Sequence, residues 1–216
     1  QGVVGLLVHP FTHRRNLMCI LQDTFTFIEK LKDGESRPLP PSVKEELICS
    51  GLVLPTCHSN IRWGVSKRVG ASDASLSHGG RCASLVTSPI AQTLYRYSEH
   101  KGEHVRLDWS KGAIAPESQM HRAPAEIEQL LSDLPWNQTE SCKFAHKQHI
   151  NILEAKMIFR ELKDVVMQST QPLRCVLVVD SRAAAGAWAK GRSSSKNLNR
   201  IMRQSLGWSL AGRKTL

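Results

Sequence analysis

The chain has 216 residues, of which 41% are hydrophobic, and a formal net charge of +10. This length can bury a full core, as one large domain or as one domain with an appendage. No stretch approaches the roughly 20 consecutive apolar residues of a membrane span, which argues against a membrane protein. The first residues, QGVVGLLVHPF, lack an initiator Met and a signal-peptide layout. We therefore interpret the chain as an internal segment of a longer intracellular polypeptide, cytoplasmic or nuclear.

The six cysteines are scattered along the chain without a C-x-x-C motif. Disulfide frameworks and zinc sites need paired or clustered cysteines, so the scatter predicts reduced thiols. Cys142, His146 and His149 could form one corner of a metal site, but the sequence supplies no further ligands beside them. A zinc site is therefore disfavoured.

The positive charge is concentrated at the end of the chain, where residues 181–216 contain eight Lys and Arg residues and no Asp or Glu. An uncompensated excess of this kind favours a polyanionic partner, most simply nucleic acid. The alternative is a solvated helix face, which usually carries interspersed acids. Hydroxyl and cationic side chains in the segment KGRSSSKN suit phosphate contacts. The candidate contacts are Lys190, Arg192, Ser193, Ser194, Lys196, Asn197 and Arg200.

The first part of the chain reads as a helical lead-in without catalytic residues. Apolar residues recur at helical spacing over residues 11–31, which predicts one amphipathic helix. Ser42 and Glu45 have the spacing of a capping box and predict a second helix over residues 43–49. The Gly51 and Pro55 positions end this region.

Residues 63–88 predict a β-hairpin. The segment WGVSKRVGASDAS tends toward strand alternation, Ser77-His78-Gly79-Gly80 supplies turn chemistry, and CASLVTS is a second short strand. Asp73 lies near the predicted turn, where an Asp is commonly only a turn residue. Residues 89–135 read as an insertion that contains a helix after Pro89 and another over residues 123–134. Residues 136–146 are the candidate for a third strand.

A core-facing helix is predicted from His149 onward, because Leu153, Ile158 and Leu162 fall on one helical face. Glu154 lies in its first turn. The spacing of Asn151 and Glu154 also fits a capping box, and without further context that structural role is favoured.

The run Cys175 to Val179 is an unbroken apolar segment that predicts a strand buried on both faces, and Asp180 follows at its carboxyl end. Open α/β sheets build their sites at such strand ends. Asp180 could equally cap the helix that follows it. Beyond that helix and the basic turn, residues 197–212 predict a last helix.

Asp73, Glu154 and Asp180 thus occupy three successive elements whose order can bring them to one point. Clustered carboxylates repel one another unless cations lie between them, so we expect these three acids to bind hard divalent ions such as Mg²⁺. A pair of such ions about 4 Å apart is the usual device for phosphodiester hydrolysis.

The DAS…GG hairpin, HINILEA, VLVVDS, the basic Gly/Ser turn and LNR together resemble the ribonuclease H-like domain of retrotransposon pol polyproteins, especially the DIRS-like group. The resemblance covers residues 63–216, and residues 1–62 resemble the tail of the reverse transcriptase that precedes it. It implies an α/β fold, a ribonuclease H-like mixed sheet flanked by helices. It also implies that Asp73, Glu154 and Asp180 hold two Mg²⁺ ions, or Mn²⁺, and that an RNA–DNA hybrid is the substrate. The expected partner is the reverse transcriptase portion of the same polyprotein.

One departure from the family concerns a fourth acidic residue, which the family places on a later element. The sequence ends at Leu216 before that position, and Lys214-Thr215-Leu216 is expected to begin the strand that leads there. Three hypotheses remain open at this point. The first is a ribonuclease H-type endonuclease, and the second is a catalytically incomplete or decayed domain that only binds nucleic acid. The third is a structural tether without metal affinity.

Overall fold

The computed structural model describes residues 2–32, 34–100 and 124–216. The chain folds around a five-stranded mixed sheet with the spatial order β3-β2-β1-β4-β5. Strand β1 pairs antiparallel with β2 and parallel with β4, while β2 and β3 are antiparallel and β4 and β5 are parallel. The strands are β1 (Gly64–Ala74), β2 (His78–Leu85), β3 (Asn137–Lys143), β4 (Leu173–Val179) and β5 (Lys214–Thr215). This α/β architecture, with helices on the sheet, confirms the predicted class.

The predicted hairpin, third strand and final strand are all present. The hairpin turn differs in position, because Gly79 and Gly80 lie inside β2 and the turn is formed by residues 75–77. Within that turn, the Ser75 hydroxyl accepts a hydrogen bond from the His78 N–H at 3.0 Å. A Cβ atom at Gly79 would lie only 2.4 Å from the Met157 sulfur. Gly79 therefore permits a helix to approach the sheet and does not form the turn.

One face of the sheet is covered by α4 (Ser88–Arg96) and α5 (Ala125–Ser132). Val69 and Val176 of the sheet share a buried cluster there with Leu94 and Ile127 of the two helices. The two ends of the predicted insertion therefore belong to the core. Its middle part, residues 101–123, lies outside the described residues.

The other face of the sheet is covered by α6 (Ile150–Gln168), which is the predicted core-facing helix. Arg68 reaches α6 while its neighbour Val69 packs on the opposite face, as strand alternation requires. Helices α7 (Arg182–Lys190) and α8 (Lys196–Ala211) pack beside α6. Ala155, Leu198 and Ile201 form the buried contact between α6 and α8.

The N-terminal region does not form the single helix predicted over residues 11–31. It contains α1 (Gly2–Phe11), the 3-10 helix η1 (Thr12–Leu21) and α2 (Gln22–Glu29), then α3 (Pro41–Val53) and the 3-10 helix η2 (Leu54–Thr56). Arg14 interrupts the helical path with φ −141° and ψ 76°. All residues from Leu17 to Leu21 are buried, so this stretch has no exposed face. An amphipathic helix requires such a face, and the apolar spacing alone could not reveal its absence.

The capping box predicted at Ser42 is also wrong. Helix α3 begins at Pro41 after Pro40, with no side-chain cap. Proline suits the first helical turn because its fixed φ and missing N–H cost nothing there. The buried acid of this helix is Glu46, whose carboxylate accepts hydrogen bonds from the Asp23 and Thr24 N–H groups at 3.0 and 2.8 Å.

Residues 2–56 pack against α7 and α8 through a shared apolar cluster. Phe11, Leu17 and Leu21 meet Ala187, Met202 and Leu206 there. Gly191 ends α7 in the left-handed region at φ +74°, and a Cβ atom on it would lie 1.6 Å from the Arg15 carbonyl oxygen. Only glycine fits this junction. No helix in the described ranges combines the length and hydropathy needed to cross a membrane.

Candidate metal centre

Two of the three predicted acids meet at the ends of neighbouring parallel strands. Asp73 is the penultimate residue of β1, and Asp180 directly follows β4. The register of the two strands places Ser72 opposite Val179. Asp73 and Asp180 therefore leave the same edge of the sheet side by side, and both side chains are exposed.

Glu154 joins them from the first turns of α6. Its neighbours Leu153 and Met157 pack against Ala74 at the end of β1. The Ala74 N–H donates a hydrogen bond to Glu154 Oε1 at 3.1 Å. As a result, one carboxylate oxygen from each of Asp73, Glu154 and Asp180 lies within 4.8 Å of the others.

The three acids do not have the alternative structural roles of helix cap, capping box or turn residue. Ser181 caps α7, and its hydroxyl accepts the Ala184 N–H at 3.3 Å. His149 caps α6 by accepting the Asn151 N–H at 3.2 Å, so the proposed Asn151–Glu154 capping box is absent. Asp73 belongs to a strand and not to the turn. None of the three carboxylates therefore serves as a helix cap or a turn residue.

The electrostatics of the cluster centre on Glu154, which is only 2% exposed. Burial raises the pKa of Glu154 to about 7, with smaller contributions from the negative charges of Asp180 and Asp73, while the Ala74 N–H opposes the shift. Its second oxygen, Oε2, is buried and has no hydrogen-bond partner. A buried acceptor without a partner is costly, so this position favours a proton or a cation.

The donor set fits a hard divalent cation. All three groups offer carboxylate oxygens, which Mg²⁺ and Mn²⁺ prefer, and no soft sulfur or imidazole ligand takes part in this group. A cation held by this group would stabilise the charged form of the buried Glu154 carboxylate. The carboxylates of Asp73 and Asp180 are exposed to solvent.

A buried ionic network, which the sequence analysis did not identify, attaches α6 to the sheet. Glu161 is 1% exposed and forms ion pairs with Arg68 of β1 and Arg81 of β2. Arg81 also contacts Glu140 of β3 at 2.6 Å and Asp164 of α6 at 2.7 Å. Glu161 lies two helical turns after Glu154 on the same helix, so the network fixes the position of α6 and with it the third carboxylate. The only sequence signal was charged residues inside strand and helix patterns.

The predicted nucleic-acid contacts separate into two groups. Lys190, Arg192, Ser193 and Ser194 line a cleft between α7 and α2, where the Arg192 guanidinium lies 4.5 Å from the Phe25 ring centroid. Lys196, Asn197 and Arg200 lie exposed in the first turns of α8.

The expectation that the C-terminal charges lack compensation is wrong in part. Lys196 lies 3.7 Å from Asp23, and Arg203 pairs with Glu46 at 2.6 Å. Arg203 also donates to the Cys19 and Ile20 carbonyl oxygens at 2.8 and 3.1 Å. The compensating acids come from the N-terminal helices, far away in sequence.

The remaining sequence-level assignments concern the cysteines and the last strand. None of the six cysteines forms a disulfide. Lys214 of β5 is fully buried and donates hydrogen bonds to three backbone carbonyl groups, including that of Gly212 at 3.0 Å. This contact holds β5 beside β4.

No protein-family model matches the chain, and no curated protein and no solved structure matches it either.

Proposed function

We propose that this chain is a ribonuclease H-like nuclease domain from a retrotransposon reverse transcriptase, which hydrolyses the RNA strand of RNA–DNA hybrids. The observation that carries the proposal is the convergence of Asp73, Glu154 and Asp180, which are 81 and 26 residues apart in sequence, to within 4.8 Å. The strand order β3-β2-β1-β4-β5 supports the same proposal, because it is compatible with a ribonuclease H-like fold.

Asp73, Glu154 and Asp180 would hold the metal ions of this reaction. Two Mg²⁺ ions, when bound, supply activation of the attacking water and stabilisation of the leaving oxygen. Glu154 is the fixed member of the set, because the Ala74 N–H and the packing of Leu153 hold it in one place. Asp73 and Asp180 extend from strand ends, so the rigid sheet sets their separation. Preorganised ligands of this kind need little rearrangement during the reaction.

The phosphate backbone of the hybrid would be held by the basic residues that follow Asp180. Arg200 and Asn197 are exposed at the start of α8 and can reach phosphate oxygens without displacing a protein partner that the structure shows. Contacts of this type position a duplex and carry no base sequence, which suits an enzyme that acts on hybrids of any sequence. The reverse transcriptase portion of the same polyprotein is the proposed partner.

A second candidate function is nucleic-acid binding without catalysis. In the described ranges the acidic group contains three residues, and the fourth acid implied by the family resemblance is not among them. A catalytically incomplete domain would keep the basic surface and lose the chemistry. The two candidates therefore differ in cleavage and not in binding.

The test is cleavage of an RNA–DNA hybrid labelled on its RNA strand, with Mg²⁺ or Mn²⁺, beside a binding titration in Ca²⁺. The nuclease proposal expects metal-dependent cuts in the RNA strand only, and expects Asp180→Asn to abolish them while hybrid binding is kept. Binding without cleavage in either metal would favour the second candidate. Cleavage that Asp180→Asn leaves at the parent rate would remove the acid cluster from the reaction and overturn the proposal.

A further inference from the structure

A cleft with a volume of about 340 Å³ lies between the N-terminal helix α2 and helix α7. One wall carries Gln22, Phe25 and Thr26 of α2. The other wall is formed by α7 and the turn over residues 191–195. Helix α7 starts two residues after Asp180, so the cleft leads away from the acid cluster.

The α7 wall carries a positive charge at each end, with small uncharged residues between them. Arg182, Gly186 and Lys190 follow one another at i, i+4 spacing and all line the cleft. Arg182 and Lys190 occupy the first and last positions of α7, about 12 Å apart along the helix axis. Arg192 adds a third cation at the far end, and Glu29 is the acid among the described lining residues. Cations at this separation are too far apart for one phosphate group and suit successive phosphates along a strand.

The far end of the cleft is fixed and carries an aromatic ring. Asn199 is 1% exposed, accepts the Ser193 N–H and donates to the Ser193 carbonyl oxygen, both at 2.7 Å. This buried side chain holds the turn that carries Arg192. The Arg192 guanidinium lies over the Phe25 ring at 4.5 Å. A positive groove combined with an aromatic face is the usual arrangement for binding single-stranded nucleic acid.

We infer that this cleft binds a single-stranded extension of the hybrid, that is, one or two nucleotides of one strand that continue beyond the duplex held at the acid cluster. The volume is at the lower end of small-molecule pockets, so it accommodates a few nucleotide groups and not a double helix. The inference rests on the proposed function for the position of the duplex. It gives the N-terminal helices a share in substrate binding, because α2 supplies one wall and the aromatic ring.

The test measures how much a single-stranded extension adds to affinity. The reference probe is a blunt 12-base-pair hybrid. The other probes are four hybrids of the same sequence, each with a single four-nucleotide extension at the 5′ or 3′ end of the RNA or DNA strand. All are titrated in Ca²⁺. The parent chain is expected to bind at least one extended hybrid about tenfold more tightly than the blunt hybrid, because stacking and phosphate contacts are added. Mononucleotide competitors at equal phosphate concentration should not remove this gain.

Three variants locate the gain. Thr26→Trp fills the cleft from the α2 wall and leaves every cation in place, so it should abolish the gain while binding the blunt hybrid like the parent. The double variant Lys190→Gln, Arg192→Gln should also abolish the gain and flatten the salt dependence of the extended hybrid. Lys44→Gln, which removes an exposed cation of α3 that does not line the cleft, is the matched control and should keep the gain. If Thr26→Trp unfolds the chain, Thr26→Glu tests the same wall by charge.

The outcomes separate the two proposals. If no extension adds affinity, or if the cleft variants keep the gain, the inference is overturned, and cleavage of the blunt hybrid would still support the nuclease. If the blunt hybrid is neither bound nor cut, the proposed function fails. In that case, the parent chain binding single-stranded nucleic acid and Thr26→Trp losing that binding would still support the cleft as a single-strand site.

Discussion

The Ala74 N–H donates to Glu154 Oε1 at 3.1 Å and thereby links the end of a strand to the first turns of a helix 80 residues later. This contact satisfies one oxygen of the buried carboxylate that groups with Asp73 and Asp180, and it leaves the other oxygen, Oε2, without a hydrogen-bond partner. The arrangement makes Glu154 sensitive to pH and to cations, and it leads to the first prediction.

The metal-free protein should lose stability as pH rises, because the buried Glu154 carboxyl group becomes ionised. Its folded pKa is raised to about 7 from the ordinary 4.5. A raised carboxyl pKa contributes stability that is fully present below the unfolded pKa and is lost as pH rises through the folded one. Glu154→Gln should therefore melt several degrees above the parent at pH 8 without divalent ions, and the difference should shrink toward pH 5. Thermal unfolding at both pH values measures this effect. An equal melting difference at the two pH values would contradict it.

The second prediction separates the roles of two adjacent residues, Asp180 and Ser181. Asp180→Asn should weaken Mn²⁺ binding strongly and leave the melting temperature unchanged or slightly higher, because a repelling charge is removed. Ser181→Ala should lower stability by about 1 kcal/mol, since it removes the cap of α7, and should keep Mn²⁺ binding. Calorimetric titration and thermal melts check both variants. The assignment fails if Asp180→Asn destabilises as a cap mutation does and keeps its affinity for the metal.

The buried network around Glu161 should dominate the attachment of α6 to the sheet. Arg81→Met leaves the 1% exposed Glu161 with Arg68 as its remaining cationic partner, and breaking a buried ion pair in this way costs about 3–5 kcal/mol. Arg37→Gln breaks the surface pair with Glu35 and should leave the melting temperature unchanged. Denaturant unfolding of the two variants gives the comparison. Equal stability of both would mean that the network does not hold α6.

Two arginines of α8 should behave oppositely although they are three residues apart. Arg200 is exposed, so Arg200→Gln should reduce the log–log salt dependence of hybrid binding by about 0.7–0.9 without changing stability. Arg203 contacts Glu46 and two carbonyl oxygens of η1, so Arg203→Gln should lower the melting temperature by several degrees and leave the salt slope unchanged. Binding titrations at several salt concentrations, paired with melts, measure both effects. If Arg203→Gln reduced the salt slope, its pairing with the N-terminal helices would not persist in solution.

Local patterns determined much of the sheet. The apolar run before Asp180, the hairpin around Asp73 and the helix after His149 all have short-range signatures, and the structure confirms that these elements exist. The prediction that the strand is buried on both faces holds only in part, because Leu177, Val178 and Val179 are half-buried. The β3 strand was also predicted, although its residues are mostly exposed and its pattern is weak. These elements were accessible because strand alternation and helical spacing depend on neighbours within a few positions.

The capping and turn assignments were less successful because competing residues stood next to one another. Ser181 and not Asp180 caps α7, and His149 and not Asn151 caps α6. Several side chains near a helix end can accept the same backbone N–H, and the path of the incoming chain selects one of them. The sequence analysis considered Asp180 and Asn151 and did not identify Ser181 or His149 as caps.

From the sequence alone came the identity of the three acids and the order of the elements that carry them. The tertiary structure decided that their carboxylates meet, that Glu154 is buried with one oxygen lacking a partner, and that Glu161 anchors its helix. It also decided that Asp23 and Glu46 of the N-terminal helices offset the charge of Lys196 and Arg203. The physical reason is that desolvation and ion pairing depend on distance in space, and these partners are separated by tens to hundreds of residues along the chain.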